Sequence, residues 1–202
     1  MNITFYNEAV DSRIPEMQKR VFNKLGLEIN QINPDIWHGH AGSIDRFLED
    51  YDWKDGYIAI FDVDCIPLNQ DAYVKAVLWA LQNEGIYSIA QKPSHIPNSI
   101  IYASPAFIVF SKKTYEALGS PRFACTERSD CAGELTHKAR EKGVEVRLLY
   151  PSHVEIPMWQ LDGPVMFGKG TTFGKNDIYH AFYSRKGNVE PFLKKCEEVL
   201  KK

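Results

Sequence analysis

Two carboxylates separated by one residue are the feature of the sequence best suited to chemistry. Asp62 and Asp64 flank Val63 directly after the apolar run at residues 56–61. Alternate residues of an extended chain point to the same face, so both carboxylates converge where that run ends. Because two adjacent negative charges repel, one carboxyl group stays protonated unless a cation lies near them. A hard divalent cation, Mg²⁺ or Mn²⁺, suits such oxygen ligands and keeps positions open for water and a diphosphate.

An Asp-x-Asp tripeptide alone is a weak motif, since paired carboxylates also occur where a strand turns into solvent. The surroundings of this tripeptide favour metal binding. An apolar strand is predicted over residues 56–61, and Pro67 ends the strand because proline cannot donate to a sheet ladder. The tripeptide therefore lies at a strand end, where α/β sheets open into the crevice that binds ligands.

The first third of the chain alternates between strand and helix patterns. β-branched and aromatic residues predict a strand at residues 2–6, and apolar residues at four-residue spacing predict a helix over residues 15–25. A second strand follows at 27–32, and Ser43 is placed to cap a second helix. With the strand at 56–61, this alternation is typical of an α/β fold with a central mixed, mostly parallel sheet flanked by helices.

The second half of the chain continues this pattern and then loses it. Helices are predicted after Asn69, from Ser111 to Leu118, and over residues 134–142. Strands are predicted at 87–90, at 99–110 with a break near Pro105, and at 144–150. From Pro151 onward, repeated glycine and proline predict a long, ordered irregular loop without a helix, followed by an amphipathic helix near residues 192–200.

Composition limits the partners and the location of the protein. The chain has 202 residues, 24 basic and 26 acidic side chains, and a formal net charge of −2, so no basic field favours nucleic acid. No apolar stretch reaches the roughly 20 residues that span a bilayer, and the first residues lack a signal-peptide pattern. We therefore expect one domain, residues 1–202, in the cytoplasm. The four cysteines form no Cys-x-x-Cys pair and are expected to be reduced.

Residues 57–69, YIAIFDVDCIPLN, resemble the Asp-x-Asp segment of GT-A-fold glycosyltransferases, which use nucleotide-diphosphate sugars. The similarity extends over most of the chain, although only this segment is distinctive. It includes the opening strand at 3–7, the helix at 43–48, the strand and helix start at 104–111 and the acidic helix start at 133–143. The resemblance implies a single GT-A-like (Rossmann-like) domain, similar to the minimal soluble members that some large viruses encode. For a viral protein the expected location is the cytoplasm of the infected cell.

The resemblance also implies the residues that bind metal and donor. A histidine near the C terminus completes the metal site in metal-dependent members, and residues 178–186 resemble that segment. The implied metal ligands are Asp62, Asp64 and His180, and the implied cofactor is Mn²⁺ or Mg²⁺. A hydrogen-bonded structural histidine is the alternative for His180. The implied donor-binding residues are Tyr6, Asn7, Arg46, Asp62 and Lys186, of which Tyr6 and Asn7 either contact a uracil base or only pack and turn the chain.

The sequence leaves alternatives open for the catalytic base and for the histidine pair at residues 38 and 40. Asp130, Glu134 and Asp162 are placed by chain order to face the sugar or the acceptor, although each also fits a helix-start or loop charge. An inverting reaction needs such a base, whereas similarity to the compact viral enzymes favours retention. His38 and His40 share one face of an extended chain, but Gly39 between them and the lack of a nearby cysteine favour an ordinary loop pair.

The predicted function is that of a metal-dependent hexosyltransferase. It would transfer a sugar from a nucleotide-diphosphate donor, a UDP-sugar such as UDP-glucose, to a glycan or protein-linked acceptor. A phosphatase of the haloacid-dehalogenase type is one alternative, but its Asp-x-Asp normally lies near the N terminus and continues with a small residue and threonine. Here the motif continues with Cys65, Ile66 and Pro67. A non-catalytic nucleotide-sugar-binding module is the second alternative, because binding and catalytic residues coincide in a mechanism based on positioning.

Overall fold

The computed structural model describes residues 1–184, 187 and 189–202. It contains ten strands and six α-helices within those residues. In chain order they are β1 (Asn2–Phe5), α1 (Arg13–Lys24), β2 (Asn30–Ile32), α2 (Gly39–Asp50), β3 (Tyr57–Phe61), β4 (Cys65–Pro67), α3 (Gln70–Gln82), β5 (Ile86–Gln91), β6 (Tyr102–Ser111), α4 (Lys112–Ala117), α5 (Gly133–Lys142), β7 (Val146–Leu149), β8 (Pro151–Asp162), β9 (Val165–Phe173), β10 (Ile178–His180) and α6 (Glu190–Leu200).

A six-stranded sheet lies at the centre, with the strand order β2-β1-β3-β6-β5-β7. β1 pairs in parallel with β2 and β3, and β5 pairs in parallel with β7. β6 runs antiparallel to both of its neighbours, β3 and β5. The expectation of a mixed, mostly parallel sheet flanked by helices is confirmed.

Strand β3 is buried on both faces, as its continuous apolar run predicts. Ala59 and Phe61 belong to a core cluster that includes residues of α1 and α3, whereas Ile58 and Ile60 belong to a cluster that includes residues of α2 and α5. Because of the pleat, alternate side chains of β3 pack against helices on opposite faces of the sheet. This double burial holds the carboxyl end of β3, where Asp62 follows, in a fixed place.

A second, four-stranded sheet occupies part of the region predicted to be an irregular loop, and that prediction is wrong. Its order is β4-β10-β9-β8, and all its pairs are antiparallel. β8 is an edge strand whose pairing shifts at three places, one of them between Pro157 and Trp159. Bulges interrupt the period-two alternation, and an edge strand tolerates proline, so the usual strand pattern is missing from the sequence.

Strand β6 runs through Pro105, although a break was predicted there. Its pairing with β5 shifts between Ser88 and Ala90, which pair with Ile108 and Ala103. The intervening residues of β6 form a bulge, where a missing backbone N–H is tolerated. The Ser88 hydroxyl donates a hydrogen bond to the Phe107 carbonyl oxygen at 2.7 Å, so this buried acceptor next to the bulge has a partner.

Helix α2 begins at Gly39, four residues before the predicted Ser43 cap. Ser43 is a buried residue inside the helix, and the residue that directly precedes the helix is His38. Two glycines near the helix start lower its intrinsic helix propensity, which is why the sequence favoured a loop there. His40 therefore lies on the first turn of a helix. No helix in the described part of the chain is long and apolar enough to cross a membrane.

Candidate functional site

The Asp-x-Asp turn lies between β3 and β4 and has a fixed backbone. The Asp62 N–H donates to the Ala106 carbonyl at 2.9 Å, next to the bulge of β6. The Cys65 N–H donates back to the Asp62 carbonyl at 3.0 Å, which closes a tight turn. The Ala181 N–H donates to the Asp64 carbonyl at 3.0 Å. One hydrogen bond within the turn and two to separate parts of the chain, at Ala106 and Ala181, therefore hold both aspartates in place.

A buried glutamine supports this turn from below. Gln18 of α1 is fully buried, and its Nε2 donates to the carbonyls of Asp62 at 2.8 Å and Cys65 at 2.9 Å. Gln31 of β2 donates in turn to the Gln18 Oε1 at 3.1 Å. The sequence analysis missed Gln18, because it sits among the apolar positions of α1 and only its buried placement shows what it does.

Replacing Gln18 with leucine is expected to lower the free energy of unfolding by about 1–3 kcal/mol, because the Asp62 and Cys65 carbonyls each lose the hydrogen bond from its amide. Chemical denaturation measures this change. Gln82→Leu is the matched control, since Gln82 is exposed at the end of α3 and such a change is usually within about 0.5 kcal/mol. Equal stability of the Gln18→Leu and Gln82→Leu proteins would contradict this role.

Three side chains converge at the turn. His180 Nε2 lies 3.1 Å from Asp64 Oδ1 and 3.4 Å from Asp62 Oδ2. Asp62, Asp64 and His180 each offer a ligand atom within 4.8 Å of the others. Two carboxylates and an imidazole form a donor set that suits Mn²⁺ or Mg²⁺. The residues present therefore fit the cation that the sequence predicts.

The pairing of β10 with β4 brings His180 to the turn, since His180 lies opposite Cys65 in the register. Burial lowers the pKa of His180, but the Asp64 charge and the hydrogen bonds with both carboxylates outweigh it and raise the pKa to about 9. The two neighbouring carboxylates thus favour a proton on His180 near neutral pH. A metal ion that binds here has to displace this proton.

A cavity of about 370 Å³ opens beside the carboxylates, which is within the usual size of a ligand pocket. Tyr6 and Asn7 line it, at the end of β1. Asn7 Oδ1 accepts a hydrogen bond from the Ala9 N–H at 3.1 Å, so Asn7 also turns the chain. Trp37 lines the same cavity and was missed by the sequence analysis, because nothing in its loop marks it.

One of the predicted donor-binding residues does not line this cavity. Arg46 is exposed on α2, with its Nη1 3.0 Å from His38 Nε2, and it does not line the cavity. Lys186 lies outside the described residues. The neighbouring Phe182 and Tyr183 do line the cavity, and both have left-handed backbone, with φ of 55° and 56°. Bulky residues rarely adopt this strained conformation, and it tends to occur at functional sites.

A second cavity of about 250 Å³ is also lined by Phe182 and Tyr183, so the two cavities share these residues. Trp159, Phe167 and Asp130 also line it. The described part of the chain thus forms two neighbouring cavities with two aromatic residues in common.

Of the three predicted catalytic carboxylates, Asp130 alone lines one of these two cavities. Its Oδ1 accepts from the Cys131 N–H at 2.8 Å and from the Cys125 thiol at 3.3 Å. Burial raises the pKa of the Tyr102 hydroxyl, and the charges of Asp130 and then Asp62 raise it further.

The other two carboxylates lie elsewhere. Glu134 forms a salt bridge with Arg128 at 2.7 Å, and this hydrogen-bonded pair outweighs burial and lowers the pKa of Glu134 to about 2. So low a pKa makes Glu134 a weak base near neutral pH. Asp162 is exposed and pairs with Val165 at the tip of the β8–β9 hairpin.

No protein-family model and no curated protein sequence matches the chain. Among solved structures, a mannosyltransferase from Pyrobaculum calidifontis, in complex with GDP-Man and Mn²⁺, has a TM-score of 0.52 and 13% identity over 73% of this chain. The match covers 53% of that protein, so the chain spans about half of its length.

Two other matches are weaker in TM-score. A197 from STIV gives 0.48 with 12% identity, covering 89% of this chain and 93% of that one. A mutant Drosophila β1,4-galactosyltransferase 7, in complex with manganese, UDP-Gal and xylobiose, gives 0.48 with 14% identity, covering 92% and 72%. The sheet topology and the match to the mannosyltransferase establish that the chain has a GT-A-like α/β fold.

Proposed function

We propose that this protein is a metal-dependent glycosyltransferase, which moves a sugar from a nucleoside diphosphate to a hydroxyl group of a glycan or protein-linked acceptor. The observation that carries the proposal is the cluster of Asp62, Asp64 and His180 at the edge of a 370 Å³ cavity, with a second cavity next to it. A transferase needs two substrates beside one charged centre, and these adjacent cavities provide room for both.

The larger cavity is the proposed donor site. Tyr6 and Trp37 supply aromatic surface for a base, and Asn7 supplies a polar amide. The Pyrobaculum mannosyltransferase, which shares the fold, was solved with GDP-Man and Mn²⁺, and this supports a nucleotide-sugar donor. The sequence resemblance favours a UDP-sugar, such as UDP-glucose.

Asp62, Asp64 and His180 would hold Mn²⁺ or Mg²⁺. When bound, the cation acts as a Lewis acid for the charge that develops on the departing diphosphate. The chain contributes the position of the ligands, since hydrogen bonds from Gln18 and Ala181 fix the backbone of both aspartates. A fixed ligand set costs little reorganisation during the reaction, which is the basis of electrostatic catalysis.

The smaller cavity is the proposed acceptor site. Trp159, Phe167 and Tyr183 provide apolar surface there, and Asp130 is its carboxylate. We assign Asp130 as the base that accepts the proton of the acceptor hydroxyl. The oxygen of that hydroxyl attacks the anomeric carbon of the sugar as the bond from this carbon to the diphosphate breaks. This role predicts inversion, in contrast to the retention that similarity to viral enzymes favours.

Calorimetry with UDP and GDP, each with and without Mn²⁺, tests the proposal. We expect one nucleotide to bind with Mn²⁺ and to bind at least about tenfold more weakly without it, because the cation links the carboxylates to the diphosphate. Hydrolysis of the matching nucleotide sugar without acceptor then separates an enzyme from a binding module. Nucleotide binding that is independent of both Mn²⁺ and Asp64 would overturn the proposal.

A further inference from the structure

His40 is a polar residue of the site for which the proposed mechanism has no role. It lies on the first turn of α2, and its Nε2 is 3.1 Å from Asp62 Oδ1. The side chain is 15% exposed, and Nε2 itself is buried without an aligned hydrogen-bond partner in the described part of the chain. A buried polar nitrogen without a hydrogen bond costs free energy, so its position beside a carboxylate needs an explanation.

The two oxygens of Asp62 face different imidazoles. Oδ1 is the oxygen nearest His40, whereas Oδ2 is the one nearest His180, at 3.4 Å. The group whose ligand atoms lie close enough to hold one ion consists of Asp62, Asp64 and His180, and His40 is not part of it. His40 therefore contacts the proposed metal site only at Asp62 among the three candidate ligands that the structure describes.

We propose that His40 is a positioning residue, which donates its Nε2–H to Asp62 Oδ1 and so presents Oδ2 to the cation. The 3.1 Å contact becomes this hydrogen bond once the ring and the carboxylate align. A carboxylate held at one oxygen loses its freedom to rotate, and the other oxygen is then fixed for a metal. The proposal rests on the metal site of the proposed function.

Outer partners of this kind orient metal ligands, and their removal typically costs about 10–100-fold in metal affinity. His38 provides a matched comparison on the same segment. It is exposed, and its Nε2 contacts Arg46 Nη1 at 3.0 Å rather than an aspartate.

The experiment measures the affinity of the purified full-length protein for Mn²⁺ alone, by the electron paramagnetic resonance signal of free Mn²⁺. Three variants are compared with the wild type, each after circular dichroism shows that it is folded. His40→Phe keeps a ring but loses the donor, His40→Gln keeps a donor but loses the ring, and His38→Phe is the control. We expect His40→Phe to weaken Mn²⁺ binding by about 10–100-fold, His40→Gln to recover most of that loss, and His38→Phe to stay within about twofold.

Which of the two His40 variants binds Mn²⁺ more tightly distinguishes a positioning role from a packing role. If packing were the role, the ring of His40→Phe would preserve affinity and His40→Gln would lose it, and this order would overturn the proposal. Equal losses in both folded variants, or wild-type affinity in His40→Phe, would also overturn it. Failure of the proposed function looks different, since the wild-type protein itself would then bind no Mn²⁺, or Asp64→Asn would bind it as well as the wild type.

Discussion

Replacing Asp64 with asparagine is expected to lower the rate of sugar transfer by more than about a hundredfold. Even the loss of an outer partner of a metal ligand costs about 10–100-fold, and Asp64 is itself a proposed ligand. The substitution keeps the size of the side chain and removes one of the two carboxylates that contact His180. Transfer rates measured over a Mn²⁺ titration should show a higher metal requirement as well as a lower maximum.

Asp71→Asn is the matched control for this experiment. Asp71 lies in the first turn of α3, and it is exposed and away from both cavities. The same chemical change there should leave the transfer rate and its Mn²⁺ dependence within about twofold. A rate in Asp64→Asn within tenfold of the wild type, with unchanged Mn²⁺ dependence, would contradict the metal role of the cluster.

Asp130→Asn is expected to lower kcat by about 10²–10⁴-fold, the usual contribution of a general base. Mn²⁺ affinity should stay close to that of the wild type, because Asp130 lies in the acceptor cavity and not in the ligand cluster. Steady-state kinetics with a responsive acceptor measure the change, and NMR of the product shows the anomeric configuration. Unchanged kcat, or a product with retained configuration, would contradict the assignment of Asp130 as the base.

Glu134→Gln provides the comparison for Asp130, since it changes a nearby carboxylate that is held by Arg128. We expect kcat to be nearly unchanged and the stability to fall near neutral pH. The pKa of Glu134 is lowered to about 2, so its ionised form stabilises the fold above the unfolded pKa of about 4.3, and this stabilisation is lost as pH falls through about 2. The stability difference between wild type and Glu134→Gln should therefore shrink in acid.

Local patterns predicted the part of the fold that depends on neighbours in sequence. The apolar run before Asp62 is strand β3, and Asn69 caps α3 by accepting the Ala72 N–H at 2.8 Å. Gly143 ends α5 with a φ of 68°, as its freedom to adopt left-handed backbone allows. In each case the deciding interaction lies within a few residues, so the sequence alone carries the information.

The second sheet could not be predicted because its determinants are tertiary. Gly168 of β9 packs so closely on β8 that an added Cβ would lie 2.1 Å from the Ile156 carbonyl oxygen. This close approach explains a glycine inside a strand, yet in sequence it reads as a loop signal. The three shifts in the pairing of β8 likewise remove the alternation by which a strand is recognised.

The candidate site likewise contains residues that the sequence could predict and residues that it could not. Asp62 and Asp64 could be predicted because strand periodicity and the end of the strand are local properties. His180 was named from a resemblance, and its place beside Asp64 depends on the pairing of β10 with β4. Gln18 had no sequence signal, and His40 was interpreted only as half of a loop histidine pair. A polar residue on a helix shows its role only when the fold brings a carbonyl or carboxylate to it.

The pairing of β4 with β10 also affects how the molecule folds. His180 and Asp64 are 116 residues apart, so closing this contact carries the entropy cost of a long loop. Contacts of such high sequence separation slow folding, and they form only when the intervening chain has become compact. The ligand cluster thus depends on a contact that the folded chain makes across 116 residues. A substitution that separates β10 from β4 therefore removes His180 from the cation site, even when every residue of the Asp-x-Asp turn is unchanged.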